Sequence, residues 1–304
     1  MGSRNKTISL TEKEKQELKK RIQKATKKLK KSQILNQVFQ GDTFKCLEYF
    51  PPKSIDLFFA DPPYNLTKTF NQQKFKKLTN ESYIVWLDSW IRQIPPLLKD
   101  NATIYICGDW RSSSAIERVC EKYFQIQNRI TFAREKGRGS KRNWKNNSED
   151  IWFCTVDKSN YTFNVDDIKS KKNVLAPYRK DDKPKDWVKT EKEKYRLTYP
   201  SNIWDDLTIP FWSMAENTPH PTQKPEKLLA KIILASSNPG DLVFDPFLGS
   251  GTTAVVAQKL NRSFCGIETD KEYCYYTLKR LALAQENTSI QGYSGEYFLE
   301  RNAR

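Results

Sequence analysis

From residue 36 onward the chain alternates short apolar runs with amphipathic stretches, and that alternation constrains the fold more than any other feature. The runs that read as strands are 37–41, 55–60 (IDLFFA), 102–107 (ATIYIC), 125–132, 150–155 (DIWFCT), 241–245 (DLVFD) and 263–267. Between them, 81–98, 112–123, 224–237, 252–260 and 270–286 carry a helical period. Strands apolar on both faces and separated by helices predict an α/β protein: a seven-stranded, mostly parallel sheet covered by helices on both sides. A chain of 304 residues can bury such a core as one large domain or two small ones.

Three segments stand outside the alternation. Residues 4–31 hold twelve Lys/Arg against Glu12, Glu14 and Glu17. Ser9 followed by Glu12 fits a capping box, and Leu10, Leu18, Ile22, Ala25 and Leu29 recur at helical spacing. That predicts an amphipathic helix of about five turns within a basic segment 1–35. Its apolar stripe favours docking on the body over a role as a DNA-gripping arm. Residues 134–145 hold six Lys/Arg, one acid, two glycines and Trp144, which suits a flexible loop near phosphates or one that is simply solvated. Residues 157–200 are rich in Lys and Asp and lack a period, as expected of a surface insertion or a recognition element.

The formal charge of +16 implies a polyanionic partner, nucleic acid before a membrane surface; a soluble protein that merely has a basic surface fits it equally. No apolar run approaches the ~18 residues of a membrane span, and the start of the chain lacks the apolar core of a signal peptide, so a cytoplasmic location is expected. Six scattered cysteines without a CxxC pair, and one histidine, suggest neither a zinc site nor a disulfide framework; no metal is expected.

Two motifs carry chemistry. Asp61-Pro62-Pro63-Tyr64-Asn65 directly follows the apolar run 55–60. The prolines fix φ and lack N–H groups, so the chain leaves the sheet as a stiff turn that can present a carboxylate and a free carbonyl to one planar group. An exocyclic amine is a poor nucleophile because its lone pair is delocalised. Accepting its hydrogens at Asp61 and at the Pro62 carbonyl would favour a tetrahedral nitrogen, with Tyr64 stacked on the extruded base. The second motif, Asp245-Pro246-Phe247-Leu248-Gly249-Ser250-Gly251-Thr252-Thr253, joins a strand to a helix. Its glycines permit a tight turn and close backbone approach to an anion. GxGxxG and the P-loop pattern are both absent. Glu268 ends the next strand, where a carboxylate can take both hydroxyls of a ribose. Together these fit an adenosyl ligand with a short zwitterionic tail better than a pyrophosphate.

DPPYN, the later DPFLGSGTT, and HPTQKP (His220 to Pro225) between them resemble the DNA amino-methyltransferases that act on adenine N6 or cytosine N4. The catalytic motif comes first by about 180 residues, as in the beta group of that family. The resemblance covers roughly residues 36–286. It implies the methyltransferase fold, S-adenosylmethionine as cofactor and DNA as partner, and it admits a homodimer and a cognate restriction endonuclease. It places Asp61, Pro62, Pro63 and Tyr64 in catalysis. It places Asp245, Phe247, Gly249, Ser250, Gly251, Thr252 and Thr253 in the cofactor loop, with Asp245 at the methionine amino group. Glu268 matches the ribose-binding acid and Asp42 the position near the cofactor adenine. Thr222 and Lys224 match the segment at the methionyl end, Lys224 being able to pair with its carboxylate. His220 reads as a turn residue rather than a catalyst. Asp at the head of the motif favours adenine, with cytosine N4 the alternative, and a non-catalytic DNA-binding subunit is the rival from another class.

The same resemblance divides the chain into a catalytic domain at 36–132 and 211–290, a target-recognition insertion at 133–210 and a tail at 291–304. Cytosine C5 chemistry needs a cysteine nucleophile, usually after a proline, and no cysteine here follows one. Base deaminases need zinc ligands that this chain does not offer.

Overall fold

The computed structural model describes residues 4–70, 73–134, 141–173 and 194–301, together with 179–180, 183–184 and 187–189. The main sheet is built from β1 (Gln37–Gln40), β2 (Ile55–Ala60), β3 (Leu98–Gly108), β4 (Gln125–Ala133), β5 (Ser148–Thr155), β6 (Ile203–Trp204), β7 (Leu242–Asp245) and β8 (Ser263–Glu268). Their order across the sheet is β1-β8-β7-β2-β3-β5-β4-β6, and only β5 runs antiparallel to its neighbours. The sheet therefore has one strand more than expected. The addition is β6, two residues paired with Thr131 and Phe132, too short to display a period.

Alternate residues of β2 face opposite cores. Leu57 and Phe59 pack with α4 (Glu226–Ser236), α5 (Thr252–Lys259) and α6 (Lys271–Glu286). Phe58 and Ala60 pack with α2 (Asn80–Ile91) and α3 (Ser113–Cys120). Helix α2 ends seven residues before the expected boundary because Pro95 and Pro96 cannot continue it; they open a 3₁₀ turn instead. Every residue of α4 is buried, its charged side chains included. Glu226 pairs with Lys259 and Arg280, while Lys227 and Lys231 share Asp206. Buried charges are tolerated when paired in this way.

The N-terminal segment corrects the sequence reading. Helix α1 covers only Glu12–Lys19, two turns rather than five, and its capping box is Thr11 with Glu14 rather than Ser9 with Glu12. Beyond it the chain runs extended: Gln23 bridges β1 beside Phe39, and Leu29 N donates to the Tyr49 carbonyl. Backbone pairing with a sheet edge displaces the helix, because β1 offers unsatisfied groups that a solvated helix would leave open. The stripe still docks, Leu18 and Ile22 on one core and Ala25 and Leu29 on the other.

Residues 157–200 hold strands that the sequence hid: Ser170–Asn173, Lys194–Thr198 and Trp187–Lys189 form a small antiparallel sheet. The tail is tied to it, Phe298 being fully buried and bridged to Ser170. Of the basic loop 134–145, residues 135–140 lie outside the described residues.

Candidate active site

Strands β2 and β7 are neighbours, with Leu57 opposite Val243 and Phe58 opposite Phe244. Both motifs leave the sheet at the carboxyl ends of these strands, where ligands of open α/β sheets bind. Between them opens a cleft of about 330 Å³. It is lined by Asp42, Asp61, Pro62, Pro63, Tyr64, Thr222, Lys224, Phe247, Gly249 and Glu268, all named from sequence. Phe44, Lys68, Phe75, Trp86, Arg134, Glu149 and Tyr273 line it too, and were not.

Asp245, Ser250, Gly251, Thr252 and Thr253 are buried beneath the loop and are not among the lining residues. Asp245 accepts from the Thr253 hydroxyl (2.6 Å) and from Phe247 N (2.9 Å), which fixes the turn. Burial pushes its carboxyl up to about 7. Gly251 caps α5 with φ of 82°, a left-handed conformation that suits glycine. Thr252 donates to the Lys224 carbonyl, and Arg280 donates to Ser250 O (2.9 Å), Thr252 Oγ1 (3.0 Å) and Glu226 Oε1 (2.9 Å). One buried guanidinium thus joins the glycine loop to the segment that carries Lys224. Arg280 lies mid-helix in an amphipathic pattern and gave no sequence signal.

One end of the cleft is aromatic. Trp86 contacts Phe44 (6.2 Å between centroids), Phe75 (5.2 Å) and Phe247 (6.5 Å) beside Asp42. Glu268 closes this end, its carboxylate accepting from Gly249 N (2.8 Å) and Asp270 N (2.7 Å); burial raises its pKa. His220 lies edge-on to Tyr273 at 4.4 Å. Burial, then the charges of Lys224 and Lys68, push it down to about 3, so it stays neutral. A Cβ on Gly249 would sit 3.1 Å from its Nε2, so the imidazole is a wall of the loop.

The other end is a charge network. Lys224 Nζ lies 2.5 Å from Asp61 Oδ2, 3.3 Å from Glu149 Oε2 and 3.3 Å from the Tyr64 hydroxyl. Burial opposes its charge, but Asp61 and Glu149 outweigh that and hold the ammonium above its ordinary pKa. The Tyr64 hydroxyl shares its proton between Asp61 Oδ1 (2.8 Å) and Glu149 Oε2 (2.9 Å). Arg134 Nη1 balances Glu149 at 2.6 Å. Lys224, which the sequence reading made able to pair with a cofactor carboxylate, lies here against the nearest protein carboxylates. Asn65 closes the following loop on itself, its side-chain amide donating to Leu78 O (3.1 Å) and accepting from Leu78 N (2.8 Å). All six cysteines are buried and free of disulfides, and burial raises the thiol of Cys107, the one electrostatically nearest this network. Among the described residues there is no cluster able to hold a metal, and no helix is long and apolar enough to cross a membrane.

Residues 55–279 match a family described as DNA methylase, of the N6/N4 methyltransferases. DNA adenine methyltransferase YhdJ of Escherichia coli is 38% identical over 253 residues, covering 81% of this chain and 83% of that protein. Type II methyltransferase M.HpaI of Haemophilus parainfluenzae is 34% identical over 245 residues, covering 79% and 72%. Among solved structures, the M1.HpyAVI–SAM complex aligns with a TM-score of 0.53 at 28% identity, covering 81% of this chain and 99% of that one. The cytosine-N4-specific PvuII DNA methyltransferase aligns with a TM-score of 0.58 at 20% identity, covering 88% and 95%, a likeness of fold.

Proposed function

The chain belongs to the DNA methylase family, and on that premise we propose that it transfers a methyl group from S-adenosylmethionine to N6 of adenine in DNA. The observation that carries this is the pairing of β2 with β7, which brings Asp61 and the Gly249 loop to opposite walls of one cleft.

The cofactor fits the residues present. The aromatic patch of Phe44, Trp86 and Phe247 beside Asp42 suits an adenine ring, and Glu268 suits ribose hydroxyls. Asp245 is a buried carboxyl that does not line the cleft; it holds the turn beneath it through Thr253 and Phe247 N. When bound, S-adenosylmethionine supplies an electrophilic methyl carbon. The protein's part is orientation: Asp61 and the Pro62 carbonyl accept the two hydrogens of the exocyclic amine, and Tyr64 stacks on the base. Direct transfer would break the cofactor's methyl–sulfur bond as the methyl–nitrogen bond forms, and Asp61 or water beside it would take the amine's surplus proton. No covalent enzyme intermediate is needed.

Adenine rather than cytosine follows from Asp at the head of the motif and from the adenine-specific relative in Escherichia coli. DNA is the partner; a cognate restriction endonuclease, a homodimer and a cytoplasmic setting extend the same reading, the first from relatives named type II methyltransferases. The test is to incubate the purified chain with labelled S-adenosylmethionine and DNA from a methylation-deficient host, then digest to nucleosides. N6-methyladenine is expected; N4-methylcytosine alone, or no product, overturns the proposal.

A further inference from the structure

Both oxygens of Asp61 are already engaged. Its Oδ1 accepts from the Tyr64 hydroxyl (2.8 Å) and its Oδ2 from Lys224 (2.5 Å). An ammonium held this closely draws charge from the carboxylate. Each oxygen keeps a second lone pair, but Asp61 offers its full charge to an amine hydrogen only when Lys224 moves off it. A buried ammonium cannot simply let go, since an unpaired buried charge costs several kcal/mol.

Glu149 resolves this. Its Oε2 already stands 2.9 Å from the Tyr64 hydroxyl and 3.3 Å from Lys224 Nζ, so it is within reach of both donors that occupy Asp61. Its Oε1 is anchored by Arg134 Nη1 at 2.6 Å, and its side chain is 6% exposed. The antiparallel strand β5 places it there: Glu149 sits opposite Phe132 in β4, and Arg134 N closes the end of that ladder on Asn147 O. Lys224, Arg134 and the cleft-lining Lys68 stand against the two carboxylates, and handing Lys224 from one carboxylate to the other leaves that balance unchanged.

Resting on the functional reading above, we propose that Glu149 is a positioning residue for methyl transfer: it takes over Lys224 and the Tyr64 hydroxyl when the acceptor base enters, and so frees Asp61 for the amine. Arg134 keeps the Glu149 carboxylate in place for this exchange. Asp61 touches the substrate; Glu149 acts through Lys224 and Tyr64.

The test compares the parent chain with Glu149→Gln, Glu149→Asp and the double variant Glu149→Gln/Tyr64→Phe, on DNA from a methylation-deficient host. Glu149→Gln keeps the shape but removes the competing charge, so kcat should fall about tenfold or more while KM for DNA and calorimetric S-adenosylmethionine affinity stay within about threefold. Glu149→Asp, which keeps the charge and shortens the reach, should fall between the two and stands in if the amide variant does not fold. Adding Tyr64→Phe to Glu149→Gln removes one donor from Asp61 and should raise kcat by about threefold over the single variant, a rescue that a merely structural glutamate would not permit. A kcat within about twofold of the parent for Glu149→Gln, a loss that tracks weakened cofactor binding, or a double variant slower than Glu149→Gln each overturns the inference. An inactive parent chain overturns the functional reading itself and this inference with it, whereas an active parent indifferent to Glu149 overturns the inference alone.

Discussion

Lys224 Nζ lies 2.5 Å from Asp61 Oδ2, so the lysine of one motif neutralises the first residue of another that is 163 positions away in the chain. Both side chains are largely buried, the lysine more so at 8% exposure against 17%. A pair this enclosed behaves as one unit, and removing either member exposes what the other does alone.

Asp61→Ala should abolish methyl transfer and leave cofactor affinity within a few fold. Lys224 retains Glu149 at 3.3 Å, so the ammonium is not orphaned and the cleft keeps its shape. The lost function is acceptance of the amine hydrogen, which falls on the chemical step. Single-turnover rates with calorimetry of S-adenosylmethionine binding check it. A variant retaining more than about a tenth of parent activity, a loss below ~1.4 kcal/mol of barrier, would refute the role.

Gly251→Val should act on the other wall. At φ of 82° a β-branched residue is strained, and a Cβ there would meet Thr277 atoms at 2.4–2.8 Å in the packed α6 helix. The loop must move, which breaks the anchoring of Ser250 and Thr252 by Arg280. Cofactor binding should be lost, with the melting temperature falling as well, while binding of duplex DNA persists. Normal cofactor affinity by calorimetry would show that the loop does not shape the cofactor's seat.

Much of this site was legible because its motifs are contiguous and each follows an apolar strand, so sequence position implied place at the sheet's edge. Asp61, Gly249 and Glu268 were found in that way. Glu149, Arg134 and Trp86 were not, because each reaches the cleft from its own strand, loop root or helix, and only pairing across the sheet reveals the convergence. The N-terminal reading went astray for a related reason. Leu18, Ile22, Ala25 and Leu29 do bury one face, but spacing alone did not distinguish a five-turn helix from two turns and an extended edge pairing. The Ser170–Asn173 sheet was hidden because Lys-rich strands with little aliphatic content show no alternation.

Asp245 and His220 should shape stability against pH in opposite senses. The Asp245 carboxyl is raised from 3.8 to about 7 on folding, so its contribution is fully present below 3.8 and is lost as pH rises toward 7. His220 is lowered from 6.5 to about 3, so its contribution is present above 6.5 and is lost as pH falls toward 3. Across pH 4–6.5 the folded chain holds a proton on Asp245 where the unfolded chain holds one on histidine, and the two slopes offset. Single variants should unmask them. Relative to the parent, Asp245→Asn should gain stability as pH rises from 4 to 7, and His220→Gln should gain it as pH falls over the same range. Urea denaturation at four pH values across that range measures both; parallel curves for parent and variants would contradict the assignment.

Deleting residues 1–31 should lower the melting temperature and leave the salt dependence of DNA binding nearly unchanged. The segment is tied to the body along its length. Lys6 N donates to Trp212 O and Ile8 N to Asn217 O, Glu14 pairs with Lys279 at 2.6 Å, and Gln23 bonds across to Val38 and Gln40. Removing it uncovers the edge of β1 and strips apolar cover from both cores, each lost contact exposing surface worth ~25 cal/mol per Å². Its twelve Lys/Arg would matter for DNA only if they tracked phosphates, in which case each contact would add ~0.9 to the log–log salt slope. Beyond α1 the backbone is likewise committed to the body, bridging the outer edge of β1 at Gln23 and reaching Tyr49 through Leu29. A truncated chain with an unchanged melting temperature and a slope reduced by several units would reverse this assignment and make the segment a DNA-binding arm.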